Sequence, residues 1–149
     1  MPTTIYFSGS ISGGRADLET YRFLVDAMSA EGHRVLAGSV ASEEVSDHGD
    51  PLAPQDICAR DLRWIDEADL LVAEVSMPSL GVGYEIAYAR WSRKIPVICL
   101  YRPAFTKRCS VMIGGDPRIE LITYDGLASA VPRLLESIRR VRRLPDRLP

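Results

Sequence analysis

Asp69-Leu70-Leu71-Val72-Ala73-Glu74-Val75 runs directly into Ser76-Met77-Pro78-Ser79-Leu80-Gly81-Val82-Gly83-Tyr84-Glu85, and the fold is read from this stretch. Its first half is apolar on both faces of an extended chain. That is the pattern of a central parallel strand, which is covered by helices on each side. Its second half is rich in small residues, and the spacing predicts a helix over 84–93 with Glu85 in its first turn.

Working outward, Ile5-Tyr6-Phe7 is another short apolar run, ending in Ser8-Gly9-Ser10-Ile11-Ser12-Gly13-Gly14. It reads as a buried strand that feeds a small-residue loop. Residues 17–31 place Leu18, Tyr21, Leu24, Val25 and Met28 on one helical face, and Gly32 stops the helix. A strand is expected over 33–36, then a weakly patterned loop or lid over 38–54. Helical spacing returns from Gln55 through Ile57, Leu62, Ile65 and Ala68. Residues 95–101 form the next strand, 109–114 a turn or short helix, 119–124 a further strand, and 127–141 the last helix. The basic tail, 139–149, is expected to fray. Strands alternating with helices imply one α/β domain over 1–149, a doubly wound parallel sheet of about five strands of the Rossmann or flavodoxin-like kind. Ligands of such sheets bind beyond the carboxyl ends of the strands, so the loops after the first and third strands are the places to look for chemistry.

Composition narrows the field. The chain has 149 residues, 46% hydrophobic and 26% charged, enough for a packed core. A net charge of -2 gives no bulk attraction to a nucleic acid polymer or an acidic membrane. The three cysteines, Cys58, Cys99 and Cys109, are an odd number without metal-site spacing, and the two histidines offer little for a metal centre. The expectation is a cytoplasmic protein with no metal, no cofactor and no membrane span.

The first loop offers hydroxyls, backbone amides at a helix start and the Arg15 guanidinium, which together suit an anion such as phosphate. It equally fits a tight strand-to-helix turn. It matches neither the Walker A pattern nor Gly-x-Gly-x-x-Gly. In the third-strand loop, Gly81 and Gly83 allow close backbone approach and Ser79 can donate to a phosphate. Glu85 then either complements a helix dipole or faces the crevice as a carboxylate nucleophile of the type used on glycosidic carbons. Such chemistry needs a second carboxylate for the leaving group. Asp61 is the best candidate, with Glu74 ranked below it because strand alternation does not decide where Glu74 points. Tyr6 can reach the nucleophile or be core. Asp69 reads as structural, Asp56 and Asp66 as surface, Cys99 as a small hydrophobe, and Trp64 and Trp91 as core or interface.

Taken together, the stretch Ile5 through Arg15, Asp61-Leu62-Arg63-Trp64, and Ala73 through Glu85 resembles the 2'-deoxynucleoside 5'-monophosphate N-glycosidases within the nucleoside 2-deoxyribosyltransferase superfamily. The resemblance runs over 5–138 and is most specific over 78–85. It implies that Glu85 attacks C1' to give a phosphodeoxyribosyl ester that water hydrolyses. It implies that Asp61 assists the departing base and orients the sugar, with Tyr6 beside the nucleophile. Ser10, Ser79 and the amides of Gly9, Gly13 and Gly14 match a 5'-phosphate pocket. Ser110 matches a serine that reaches the partner's phosphate, which implies a homodimer with a composite site. Ser12 stands where the animal members have arginine, and Arg15 matches a neighbouring position. The segment 102–109 is one residue longer than theirs, and base preference maps to 38–54.

The alternatives are a deoxyribosyltransferase, a hydrolase of CMP-type ribonucleotides, and a nucleotide-binding module without turnover. Paired carboxylates in a crevice count against the last. A flavodoxin-like electron carrier lacks the aromatic pair that would flank a flavin.

Overall fold

The computed structural model describes residues 2–11, 15–41 and 52–143, with the side chains of Arg15, Ala16, Ser39 and Ala41 excepted. Five strands form one parallel sheet: β1 (Thr4–Gly9), β2 (Arg34–Leu36), β3 (Leu70–Glu74), β4 (Val97–Tyr101) and β5 (Ile119–Thr123). Their order is β2-β1-β3-β4-β5. The helices are α1 (Arg15–Ala30), α2 (Pro54–Glu67), α3 (Leu80–Ala87), α4 (Val111–Gly114) and α5 (Leu127–Arg143). A short 3-10 turn spans Gly38–Ala41. The expected doubly wound α/β sheet is present, and similar solved structures given below share it.

Alternation along the strands divides the core into two layers. Ile5 and Phe7 on β1, Leu70 and Val72 on β3, and Ile98 and Leu100 on β4 pack with Tyr21, Leu24 and Met28 of α1 and Leu134 and Ile138 of α5. Tyr6, Leu71, Ala73, Val97 and Cys99 point the other way, onto Ile65 of α2 and Val82 and Ile86 of α3. Both faces are therefore buried, which is why β3 reads as a continuous apolar run. Asp69 is structural, as expected: its Oδ2 accepts the amide of Thr4 at 2.8 Å and ties the start of β3 to β1.

Helix α3 starts four residues earlier than the spacing suggested. Ser79 caps it, its Oγ accepting the amide of Val82 at 3.3 Å. Gly81 and Gly83, read from sequence as loop, are thus in the helix, and Glu85 is in its second turn. Beyond Ala87 the helix widens into a π-helical segment, Tyr88–Arg93, closed by Lys94 in the left-handed region at φ 55. Helix α5 runs to Arg143, and Arg139 and Arg140 pair with Glu31 and Glu120.

The strand order reverses at β1, so a crevice opens between the carboxyl ends of β1 and β3, where Gly9 is paired with Glu74. Gly9 lies flat on the ring of Tyr21. A Cβ at position 9 would come within 2.9 Å of Tyr21 Cζ. The Tyr21 hydroxyl donates to the carbonyl of Ser10 at 3.1 Å, so the same side chain pins the next residue too. Gly9→Ala should destabilise the fold by about 1–3 kcal/mol through overpacking, read from the urea midpoint at unchanged m. An unchanged midpoint would mean that the ring yields freely.

Candidate functional site

Alternation places Tyr6 and Ser8 of β1 on the same face as α3, and both meet Glu85. The Tyr6 hydroxyl donates to Glu85 Oε1 at 3.0 Å, and the Ser8 hydroxyl makes a very short hydrogen bond to Oε2. Each oxygen of one carboxylate is therefore held by a separate hydroxyl from a neighbouring strand. A glutamate serving only the helix dipole would sit in solvent beside the first turn. Glu85 lies instead over the sheet, where burial raises its pKa most strongly. The hydrogen bonds from Ser8 and Tyr6 pull the pKa down, the charge of Asp61 adds to the rise, and that of Arg60 opposes it. Tyr6 is also raised, first by burial and then by Glu85, and remains a phenol donor.

Asp61 lies half-buried on α2, its Oδ1 held at 2.9 Å by Nε of Arg60, whose guanidinium sits 4.8 Å over the Trp64 ring. Its charge raises the pKa of both Glu85 and Tyr6. Gly38 backs this corner in a left-handed conformation at φ 49, and a Cβ there would meet Trp64 at 2.9 Å. Glu74 belongs to the opposite face. It is fully buried, accepts the amide of Ser76 at 3.1 Å and the Ser76 hydroxyl, and has its pKa raised chiefly by burial.

The anion loop is only partly described. Gly9 and Ser10 are buried, the backbone of Arg15 opens α1, and Ser12, Gly13 and Gly14 lie outside the described residues. So does most of the 38–54 segment. Ser79, Gly81 and Gly83 form the start of α3, which faces the same crevice. Ser110 is exposed at the head of α4. It borders a groove of about 650 Å³ that is also lined by Met77, Leu80, Trp91, Val111 and Met112. Among the described residues no cluster of three or more His, Cys, Asp or Glu could hold a metal ion, and no helix is long and apolar enough to cross a membrane.

Sequence reasoning did not single out Ser8. The signal was available: two residues after Tyr6 on one strand means the same face.

Fold and site together define a doubly wound α/β protein with a half-buried, hydroxyl-held carboxylate at the switch point of its sheet. The chain belongs to the nucleoside 2-deoxyribosyltransferase family, whose sequence profile matches residues 5–115. A relative from Syntrophotalea carbinolica is 43% identical over 90% of this chain and 93% of its own length. Its name assigns it provisionally as 2'-deoxynucleoside 5'-phosphate N-hydrolase 1. The 5-hydroxymethyl-dUMP N-hydrolase of Mus musculus is 44% identical over 77% of this chain and 66% of its own. In fold, the chain resembles the solution structure of BlsM (TM-score 0.78, 20% identity, covering 99% of this chain and 98% of that one). It also resembles the Clostridium botulinum CMP N-glycosidase BcmB (TM-score 0.63, 17% identity, 90% and 98% covered).

The raised pKa of Glu85 sets a sign. Its carboxyl binds a proton more tightly folded than unfolded, so ionising it costs folding free energy that is incurred as pH rises through the folded value. Relative to wild type, Glu85→Gln should gain stability between acidic pH and pH 8, measured by denaturant melts at several pH values. Ser8→Ala removes a hydrogen bond to the charged form, and a carbon-13 titration of Glu85 should move to higher pH. A downward move would refute the account of the pair.

Proposed function

We propose that this protein hydrolyses the N-glycosidic bond of 2'-deoxynucleoside 5'-monophosphates, giving free base and deoxyribose 5-phosphate. The observation that carries the reading is Glu85, half-buried over the sheet with both oxygens held by Tyr6 and Ser8. Oriented in this way, the carboxylate can attack C1' from one side of the sugar. The carbon–nitrogen bond breaks, and the base leaves with the bonding pair and takes up a proton. Asp61 hydrogen-bonds the departing base and the sugar. Water then attacks C1', the glutamyl ester releases Glu85, and one proton is returned, so nucleotide and water become base and sugar phosphate. The negative charge of the ionised Glu85 also favours oxocarbenium character at C1'.

In this reading the 5'-phosphate is held by Gly9, Ser10, Ser12, Gly13, Gly14 and Arg15 at the start of α1 and by Ser79, Gly81 and Gly83 at the start of α3, since helix N-termini favour an anion. Support for nucleotide substrates comes from the relatives, which are named as N-hydrolases of nucleoside phosphates. The exposed free thiol of Cys58 fits a reducing, cytoplasmic setting.

The active form in this reading is a homodimer. Leu80 (96% exposed), Tyr84, Trp91, Val111 and Met112 put large apolar side chains into solvent around the groove beside α3. A second copy covering this face would bring its Ser110 towards the neighbouring phosphate.

Incubation with dGMP, dCMP, 5-hydroxymethyl-dUMP, CMP and deoxyguanosine, followed by chromatography, tests the reaction. Free base with deoxyribose 5-phosphate is the expected product. Transfer of the sugar to an added base would make the chain a transferase, release from CMP alone a ribonucleotide hydrolase, and no release from any of them a binding module. Glu85→Gln should lower kcat about a thousandfold or more.

Mixing tests the composite site. Glu85→Gln and Ser110→Ala homodimers, each weak alone, should regain activity when their subunits exchange, because one of the two sites in the mixed dimer is then intact. A monomer by sedimentation, or no recovery after confirmed exchange, would sink the dimer.

A further inference from the structure

On the face of the sheet opposite Glu85, the carboxyl end carries a second polar cluster that the proposed reaction does not use. Asp17, fully buried in the first turn of α1, accepts a hydrogen bond at 2.8 Å from a terminal guanidinium nitrogen of Arg102. Arg102 follows β4 directly, and its backbone amide donates to the Ser76 hydroxyl at 2.8 Å. That hydroxyl in turn donates to Glu74 at the end of β3. The hydroxyl of Thr106 donates to the carbonyl of Ser76 at 3.0 Å and closes the loop from below. The guanidinium lies 5.0 Å over the Phe105 ring and 5.8 Å from that of Tyr124, so its position is fixed by packing as well as by charge.

Arg102 therefore contacts both elements that carry the candidate anion site, Asp17 on α1 through its guanidinium and Ser76 in the β3–α3 loop through its backbone amide. Through Asp17 it holds the opening turn of α1, directly behind the Gly9–Arg15 loop. Through Ser76 it holds the loop that leads, three residues later, to Ser79 and the start of α3. The two halves come from different crossovers of the sheet. Tyr21, which pins Gly9 and Ser10, serves only the first half.

We propose that Arg102 is a positioning residue for the 5'-phosphate: it clamps the start of α1 and the β3–α3 loop in register, so that their backbone amides converge on one anion. It touches no reacting atom. Losing the clamp spreads the amides without moving Glu85, Tyr6 or Ser8, which lie across the sheet. The inference rests on the nucleotide reading above.

The experiment compares wild type with Arg102→Met, Arg102→Lys and Asp17→Asn, each first checked for a cooperative thermal melt. KM and kcat are measured on a deoxynucleoside 5'-monophosphate, kcat/KM on the matching deoxynucleoside, and inhibition by inorganic phosphate. Arg102→Met should raise KM for the nucleotide and the inhibition constant for phosphate by about tenfold or more, with kcat falling far less and the nucleoside rate unmoved. Arg102→Lys should recover part of the loss. Asp17→Asn should reproduce the effect from the other end of the ion pair, leaving a half-buried guanidinium rather than a fully buried carboxylate without its partner, and it carries the test if the methionine variant does not fold. Folded variants whose nucleotide KM and phosphate inhibition match wild type would overturn the proposal and leave the nucleotide reading standing. A parallel loss on nucleotide and nucleoside would also overturn it, since that marks general loosening. A wild type indifferent to the 5'-phosphate would overturn both.

Discussion

A carboxylate kept out of water is expensive, and the architecture around Glu85 answers that cost. Among the described residues the charge is met by two hydroxyls from one strand, Tyr6 and Ser8, rather than by a salt bridge. This choice matters chemically. In the proposed reaction a guanidinium paired to Glu85 would draw more charge from the attacking oxygen than hydroxyls, which orient it and carry no full charge. The burial that makes the arrangement costly also raises the pKa above the usual carboxylate range, against the pull of the two hydroxyls. The parallel pairing of β1 with β3, the packing of α3 over them and the early start of α3 at Leu80 all serve to bring these three side chains together.

The sheet also works as a partition. Two glutamates withdrawn from the surface lie near the carboxyl end of β3, the buried Glu74 on the strand and the half-buried Glu85 on the helix that follows. On one shared face their charges would repel and drive a proton onto one of them. Alternation sends Glu74 to the α1 and α5 side, where Ser76 bonds it and the Arg102 charge opposes the rise in its pKa, and leaves Glu85 with Tyr6 and Ser8. One layer thus holds the reactive carboxylate while the other ties the loops together.

Much of this was legible in the chain. The buried runs at β1, β3 and β4, the helical face of α1 and the structural part played by Asp69 follow from period and composition. Glu85 and Asp61 were singled out by their place around a crevice and by resemblance to a family. What stayed hidden has physical reasons. A strand apolar on both faces gives no alternation from which to orient Glu74. Gly81 and Gly83 have poor helix propensity and read as loop, yet the Ser79 cap and the burial of Val82 and Ile86 override that preference. The Arg102–Asp17 pair joins residues 85 apart, and no local pattern announces such a contact.

The hydroxyls of Tyr6 and Ser8 meet Glu85 across 79 and 77 residues of chain. No short fragment contains both ends of these bonds, and closing so long a loop is entropically unfavourable until β1, β3 and α3 are all docked. The proposed nucleophile is consequently assembled only late in folding. A nascent or partly unfolded chain has a glutamate but no positioned attacker, so reactivity towards a glycosidic carbon is confined to the completed fold.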